Sequence, residues 1–220
     1  MQAMILAAGL GTRMLPLTNK IPKALAIFNN KPLIEHLIIN LKNNGINQIV
    51  INLHHLGEQI KQYLKNGHKY GVSISYSEET ALLDTGGGIV QALTKGLLKQ
   101  EPFIVISTDI VTNFNFKFLF SKLFKLAHLI LVPNPSYHSH GDFSLNNNNL
   151  QLPLADANLN YTYANIGIFD PKFFNNPPGT IFPLGAFFKQ AIINQQITGE
   201  IYNGLWKNIG TIAELTTSIN

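Results

Sequence analysis

Leu6-Ala7-Ala8-Gly9-Leu10-Gly11-Thr12-Arg13-Met14-Leu15-Pro16-Leu17-Thr18 closes a short apolar run, Ala3–Ala7, and opens a stretch rich in Gly, Pro and Asn that lasts to Asn30. The run suits a buried parallel strand, and the stretch behind it reads as a long functional loop. Glycines at 9 and 11 let the backbone approach a ligand closely, and successive amide N–H groups can form an anion-binding concavity. Arg13, and Lys23 behind Pro22, add positive charge nearby. Together these are the parts needed to hold a triphosphate. Two familiar phosphate loops do not match. A dinucleotide fingerprint needs glycine where Met14 stands and an acidic residue near Leu53, and a P-loop ends in Gly-Lys-Ser/Thr.

Downstream, Pro32 sits where a first helical turn accepts it, and Leu33, Leu37 and Leu41 mark one helix face ending near Gly45. Ile49–Leu53 reads as a strand, Ile60 and Leu64 as a helix stopped by Gly67, and Val72–Tyr76 as a third strand. The triplet Gly86–Gly88 reads as a turn before a helix over Ile89–Leu98, followed by a buried strand at Phe103–Ile106. Phe116–Leu126 suggests a helix and His128–Val132 a strand. This β-α-β order predicts an α/β fold: a Rossmann-like, mainly parallel sheet sandwiched by helices, in a single domain over 1–220. The second half is less regular. Phe143–Leu145, Asn149–Leu152 and Tyr161–Phe169 read as strands, Asn146–Asn149 as a hairpin turn, and Leu184–Ile193 and Ile212–Ile219 as helices.

Bulk properties exclude several classes. Apolar residues make up 45% of the 220 and charged residues 13%, a globular composition. No apolar run approaches the roughly 18 residues of a membrane span, and Met1–Ala8 lacks a basic n-region, so the expectation is a cytoplasmic protein without a membrane partner. With no cysteine, thiolate zinc sites and cysteine nucleophiles are ruled out. The charge of +4 is mild. Lys61, Lys65 and Lys69 recur at helical spacing as a solvated face, and no aromatic-interleaved basic segment points to nucleic acid. His54 and His55, and His138 and His140, lack the spacing of a zinc site. Nothing specifies an oligomeric state.

A-A-G-L-G-T-R-M-x-P-L-T followed by P-K resembles the signature loop of the sugar-1-phosphate nucleotidyltransferases, and the resemblance covers essentially the whole chain. Within the family, Ile51–Ile60, Leu83–Ile89, Leu129–Pro135 and Gly141–Phe143 are most similar to the N-acetylmuramate-1-phosphate uridylyltransferases of cell-wall recycling. The resemblance implies a magnesium-dependent enzyme that joins a nucleoside triphosphate, here UTP, to a sugar 1-phosphate, here N-acetylmuramate 1-phosphate, releasing pyrophosphate. It implies catalytic roles for Arg13, Lys23 and Asp109, and nucleotide contacts from Ala8, Gly9, Gly11, Thr12, Arg13, Lys23, Glu79, Gly87 and Gly88. Asp142 and Asn165 match sugar-binding positions. Asp109, emerging behind the buried strand at the carboxyl edge of the sheet, is the metal-ligand candidate.

The chain departs from the family at the second metal position. Where W-x-D-x-G-T is usual, this sequence has Trp206-Lys207-Asn208-Ile209-Gly210-Thr211, so Asn208 brings an amide oxygen without a negative charge. Reduced magnesium affinity or low activity is the expectation. Two other readings stay open: a mannose-1-phosphate guanylyltransferase, and a non-catalytic nucleotide or sugar-phosphate sensor on the same fold.

Overall fold

In the opening strand, β1 (Gln2–Leu6), Ala3 and Ile5 pack to one side of the sheet and Met4 to the other, as the two-residue period of a strand requires. The computed structural model describes residues 1–216. After β1 the chain runs through short 3₁₀ turns at 12–14, 17–19 and 23–25. It then forms a small hairpin, β2 (Ile27–Phe28) and β3 (Lys31–Pro32). Next come α1 (Leu33–Asn43), β4 (Gln48–Leu53), α2 (Gly57–Leu64) and β5 (Ser73–Glu78). These are followed by α3 (Asp84–Thr94), β6 (Phe103–Ser107), β7 (Ile110–Thr112) and β8 (Ala127–Val132). The remainder contributes β9 (Ser144–Asn146), β10 (Asn149–Gln151), β11 (Thr162–Phe169), α4 (Phe188–Ile193), β12 (Ile197–Ile201), β13 (Trp206–Asn208) and α5 (Ile212–Leu215).

Among the described residues the main sheet has nine strands in the order β5-β4-β1-β6-β11-β8-β12-β10-β9. The pairs β5–β4, β4–β1, β1–β6 and β8–β12 are parallel. β11 inserts antiparallel between β6 and β8, and the β9–β10 hairpin closes the far edge, so the sheet is mixed. Helices cover both faces. Leu37, Ile38 and Leu41 of α1 and Ile60 and Leu64 of α2 pack with Ala3, Ile5, Ile49 and Ile51. Ile89 and Ala92 of α3 and Ala191 and Ile192 of α4 pack on the other side with Met4, Val50 and Val105. Each such Leu or Ile contributes roughly 1.5–3 kcal/mol of burial. A third cluster, Met14, Ala26, Phe28, Leu33, Val111 and Ile209, fastens the glycine-rich loop to the ribbon formed by β7 and β13.

Several expectations need correction. The segment 116–126 is a 3₁₀ stretch, 116–121, followed by irregular chain. Only Phe116 and Leu119 there are buried, a three-residue spacing that suits a 3₁₀ turn, whereas Phe118, Phe120 and Leu123 face outward. The glycine triplet is the first part of α3 and not a turn before it. Gly86 and Gly87 donate their N–H groups to Phe182 C=O at 3.0 and 3.2 Å, and a Cβ on Gly87 would stand 2.3 Å from Thr180 C=O. Part of the helix expected over Ile212–Ile219 lies outside the described residues; α5 is its described portion. The asparagine hairpin is as expected: Asn147 and Asn148 take φ of 48° and 64°, the pattern of a two-residue type I′ turn between β9 and β10.

Candidate active site

From β1 the chain proceeds to β4 and β5 on one side of it, then returns to β6 on the other. Loops leaving β1 and β6 therefore diverge, and a crevice opens at their carboxyl ends, where open α/β sheets bind ligands. A cleft of about 400 Å³ occupies that crevice. Ala8, Gly9, Gly11, Thr12, Arg13 and Lys23 line it from the β1 side and Asp109 from the β6 side. A second pocket, about 410 Å³, is lined by Asp142, Asn165 and Asn208 with Phe143, Tyr163 and Phe188. Leu6, Thr85 and Ser107 line both, so the two spaces meet at the ends of β1 and β6.

Local conformation positions the cleft's groups. Gly11 has φ of +65°, and Thr18, buried against it, donates its hydroxyl to Gly11 C=O at 2.9 Å. His55 Nε2 lies 2.9 Å from Thr18 C=O, bracing the loop from behind. Lys23 Nζ donates to Asp109 Oδ2 at 2.7 Å, across 86 residues of sequence. The Arg13 guanidinium packs over Gly210, where a Cβ would come within 2.9–3.0 Å of it. On the ribbon, Asn208 pairs with Ile110, and Ile209 N–H donates to Asp109 C=O at 2.8 Å, which sets Asn208 beside Asp109. Asp109 Oδ1 and Asn208 Oδ1 are both buried and without a hydrogen-bond partner. Two orphaned hard oxygens beside a phosphate-shaped loop suit magnesium, whose remaining positions are commonly filled by water and substrate phosphates. Tyr137 lies close by. Burial and the charge of Glu214 push its phenol pKa up, while the Asn208 side chain opposes them.

Sugar-pocket candidates are held as firmly. Asp142 accepts from Tyr163 N–H at 2.8 Å on Oδ2, and His138 Nε2 lies 3.0 Å from Oδ1. Asn165 has φ of +55° inside a bulge of β11, where the register to β8 shifts between Tyr163 and Gly167. Such a bulge re-aims a side chain out of the ladder, here into the pocket.

Glu79, Gly87 and Gly88 are not among the residues lining the cleft. Glu79 is buried behind it, accepting from Asn52 Nδ2 at 2.7 Å and from Leu83 N–H at 3.1 Å. A Cβ on Gly88 would meet Glu79 Oε1 at 2.6 Å, so Gly88 makes room for that carboxylate. Asn52, which the sequence reading missed, does line the cleft and accepts Ala7 N–H at 2.8 Å, tying the loop to Glu79. A lone amide within the apolar strand Ile51-Asn52-Leu53 was the signal for it. Asp84, with φ of +62°, also lines the cleft and carried no comparable signal. Each histidine of the two flagged pairs has its own contact: His54 Nδ1 is 3.0 Å from Glu79 C=O and His140 Nδ1 is 3.4 Å from Ser139 Oγ. Among the described residues no group of three or more His, Asp or Glu is placed to hold a metal ion.

Comparison with known proteins agrees with this geometry. A family model described as Nucleotidyl transferase matches residues 2–140, which include the glycine loop, Lys23 and Asp109. The chain is 39% identical over 222 residues to an N-acetylmuramate alpha-1-phosphate uridylyltransferase of Neisseria meningitidis serogroup B, covering 98% of this chain and 95% of that one. It is 42% identical over 118 residues to the mannose-1-phosphate guanylyltransferase catalytic subunit beta of Dictyostelium discoideum, a match spanning 53% of this chain and 32% of that protein. In fold it is similar to HddC from Yersinia pseudotuberculosis, with a TM-score of 0.81 at 21% identity, covering 97% of this chain and 95% of that one. Since the match takes in the loop, the acid across the cleft and nearly the full length of a relative, the chain belongs to the nucleotidyl transferase family, on its sugar-1-phosphate branch.

Proposed function

We propose that the protein transfers the uridylyl group of UTP to N-acetylmuramate 1-phosphate and releases pyrophosphate, in the cytoplasm, as a step of cell-wall sugar recycling. The observation that carries the chemistry is Lys23 Nζ at 2.7 Å from Asp109 across a cleft walled by the Gly9–Arg13 loop. The choice of substrates rests on the relative matched over 95% of its length.

A phosphate oxygen of the sugar 1-phosphate attacks the α-phosphorus of the nucleotide. The new O–P bond forms as the bond to the bridging oxygen of pyrophosphate breaks. This nucleophile is already an anion near neutral pH, so no general base is required. The barrier lies in bringing two anions together and in the charge that builds on the leaving group, so positioning and electrostatic stabilisation dominate. Lys23 neutralises charge at the α-phosphate. Arg13 grips the β- and γ-phosphates with its planar fork, and the N–H groups around Gly9 and Gly11 face the same chain of oxygens. Asp109 and Asn208 would hold magnesium through their free Oδ1 atoms. A bound magnesium ion supplies charge stabilisation worth several kcal/mol. Asp142 and Asn165 bind sugar hydroxyls, with Asp142 kept in register by His138 and the Tyr163 amide. Leu6, Thr85 and Ser107, common to both pockets, mark where the reacting phosphates meet.

The test is pyrophosphate release from four nucleoside triphosphates against a panel of sugar 1-phosphates. UTP with N-acetylmuramate 1-phosphate is expected to turn over fastest. A preference for GTP with mannose 1-phosphate would replace the substrate pair and leave the chemistry standing. Asn208 gives the sensor reading its one support. Thermal stabilisation by nucleotide without any pyrophosphate release would favour it.

A further inference from the structure

The sugar pocket opens two ways. Toward the phosphate cleft it shares Leu6, Thr85 and Ser107, and elsewhere it shares Tyr137, Trp206 and Asn208 with a third recess of about 460 Å³. The two sets have no residue in common, and no described residue lines both the cleft and the recess. The three spaces therefore run in series: cleft, sugar pocket, recess. The recess is of the size of small-molecule sites, which span roughly 300–1,000 Å³. Tyr137, Tyr202 and Trp206 wall it together with Pro133 and Pro135, and Asn203 adds an amide.

These walls are fixed in advance. The link from β12 to β13 is tied down at Leu205, whose C=O accepts the Thr112 hydroxyl at 2.7 Å and whose N–H donates to Asn113 Oδ1 at 3.1 Å. The Tyr202 hydroxyl donates to the same Asn113 oxygen, and its ring stands edge-on to Phe114 with centroids 5.1 Å apart. Trp206 is held through Nε1 by Ala164 C=O at 3.0 Å. Rings placed before a ligand arrives lose little freedom when it binds. Lys207 and Glu214 also line the recess, so its wall carries both signs of charge, whereas among the described residues no Lys or Arg lines the sugar pocket. A sugar seated with its phosphate at the first opening leaves the second for a substituent on its ring. N-acetylmuramate has such a substituent, a lactyl ether at O3, whose carboxyl can be amide-linked to an amino acid. The lactyl group alone is small beside this recess. An aminoacyl extension would bury apolar atoms against the rings and prolines and give its amide a partner in Asn203.

We propose that the recess is a subsite for the sugar's O3 substituent, and that the enzyme also uridylylates N-acetylmuramate 1-phosphate bearing an amide-linked amino acid on its lactyl carboxyl. The bond changes are those already given: an oxygen of the sugar phosphate bonds to the α-phosphorus of UTP, pyrophosphate leaves, and the amide passes through intact. The proposal rests on the substrate reading above and extends it to a second class of acceptor.

The experiment measures pyrophosphate release from UTP with N-acetylmuramate 1-phosphate and with its L-alanyl amide. Wild type is expected to use the amide with a kcat/KM within about threefold of that for the parent sugar. Asn203→Trp and Pro133→Trp, two substitutions at exposed positions of the wall, fill the recess from different sides. Either is expected to lower kcat/KM for the amide about tenfold more than for the parent, because overpacking penalises the larger group. That ratio is unaffected by a general loss of folded enzyme, and the second variant serves if the first folds poorly. Rejection of the amide by wild type that turns over the parent sugar overturns the proposal alone, as does an equal loss on both substrates in both variants. Turnover of neither substrate, by enzyme that uses another sugar 1-phosphate, overturns the proposal and the substrate reading together.

Discussion

Gly11 carries a backbone conformation, φ +65°, that side chains rarely adopt, and a Cβ there would stand 2.7 Å from Thr18 Cγ2. Gly9, by contrast, has nothing within 4 Å of its virtual Cβ, so it faces open cleft. Replacing Gly11 by alanine is expected to cost about 1–2 kcal/mol of stability through strain and the Thr18 clash. Because Thr18 links the loop to His55, the change should also raise the KM for nucleotide more than it lowers kcat. Urea unfolding and steady-state kinetics on one preparation check both parts. The glycines of the cleft loop were legible in the sequence because the loop's composition announces a bare backbone. Gly87 and Gly88 look the same on paper, yet one makes room for the Thr180 carbonyl and the other for the Glu79 carboxylate. Only the partner distinguishes such uses.

At the scale of the element, β12 and the β7–β13 ribbon were missed. In β12, Ile197-Thr198-Gly199-Glu200-Ile201, one inward position is Gly199, where a Cβ would meet Leu150 Cδ1 at 3.0 Å and Leu129 C=O at 3.2 Å. That glycine erases the apolar alternation by which a strand is recognised. Glu200 on the same strand sits with His128 Nε2 3.8 Å from one oxygen and Lys122 in contact with the other. His128 first, and then Lys122, outweigh burial and hold the Glu200 carboxyl pKa down at about 2. A carboxyl depressed in the folded state stabilises above its unfolded value, near 4.5, and that contribution is lost as pH falls from there toward 2. Partial exposure screens it, so on the order of 1 kcal/mol is expected. Glu200→Gln should therefore flatten the fall in urea midpoint between pH 5 and pH 3, measured against wild type. An unchanged slope would show that the pair does not act on stability.

For the whole molecule, the cleft draws on residues 8–23, Asn52, Asp84, Asp109 and Gly210, and the third core cluster joins Met14 to Ile209. The last quarter of the chain is thus part of the cleft wall. Trp206 also bonds the sheet through Nε1 to Ala164 C=O at 3.0 Å. Ending the chain at Tyr202 is expected to leave most of the nine-stranded sheet intact and to abolish nucleotide binding. The checks are the far-ultraviolet spectrum and a titration with a non-hydrolysable UTP analogue. Retention of affinity in the shortened chain would mean that the ribbon is dispensable. Among the described residues no helix is long and apolar enough to cross a membrane.

The bare-backbone loop after β1, the emergence of Asp109 beyond a buried strand, and the alternation of strands and helices through β6 could be read from the chain alone, because each is announced by local composition or spacing. Tertiary structure decided the rest: that β11 runs antiparallel between β6 and β8, that Glu79 supports Asn52 behind the cleft wall, and that Lys23 neutralises Asp109. Those facts depend on which surfaces meet after folding, across separations such as the 86 residues between Lys23 and Asp109, and no local pattern encodes a partner at that range.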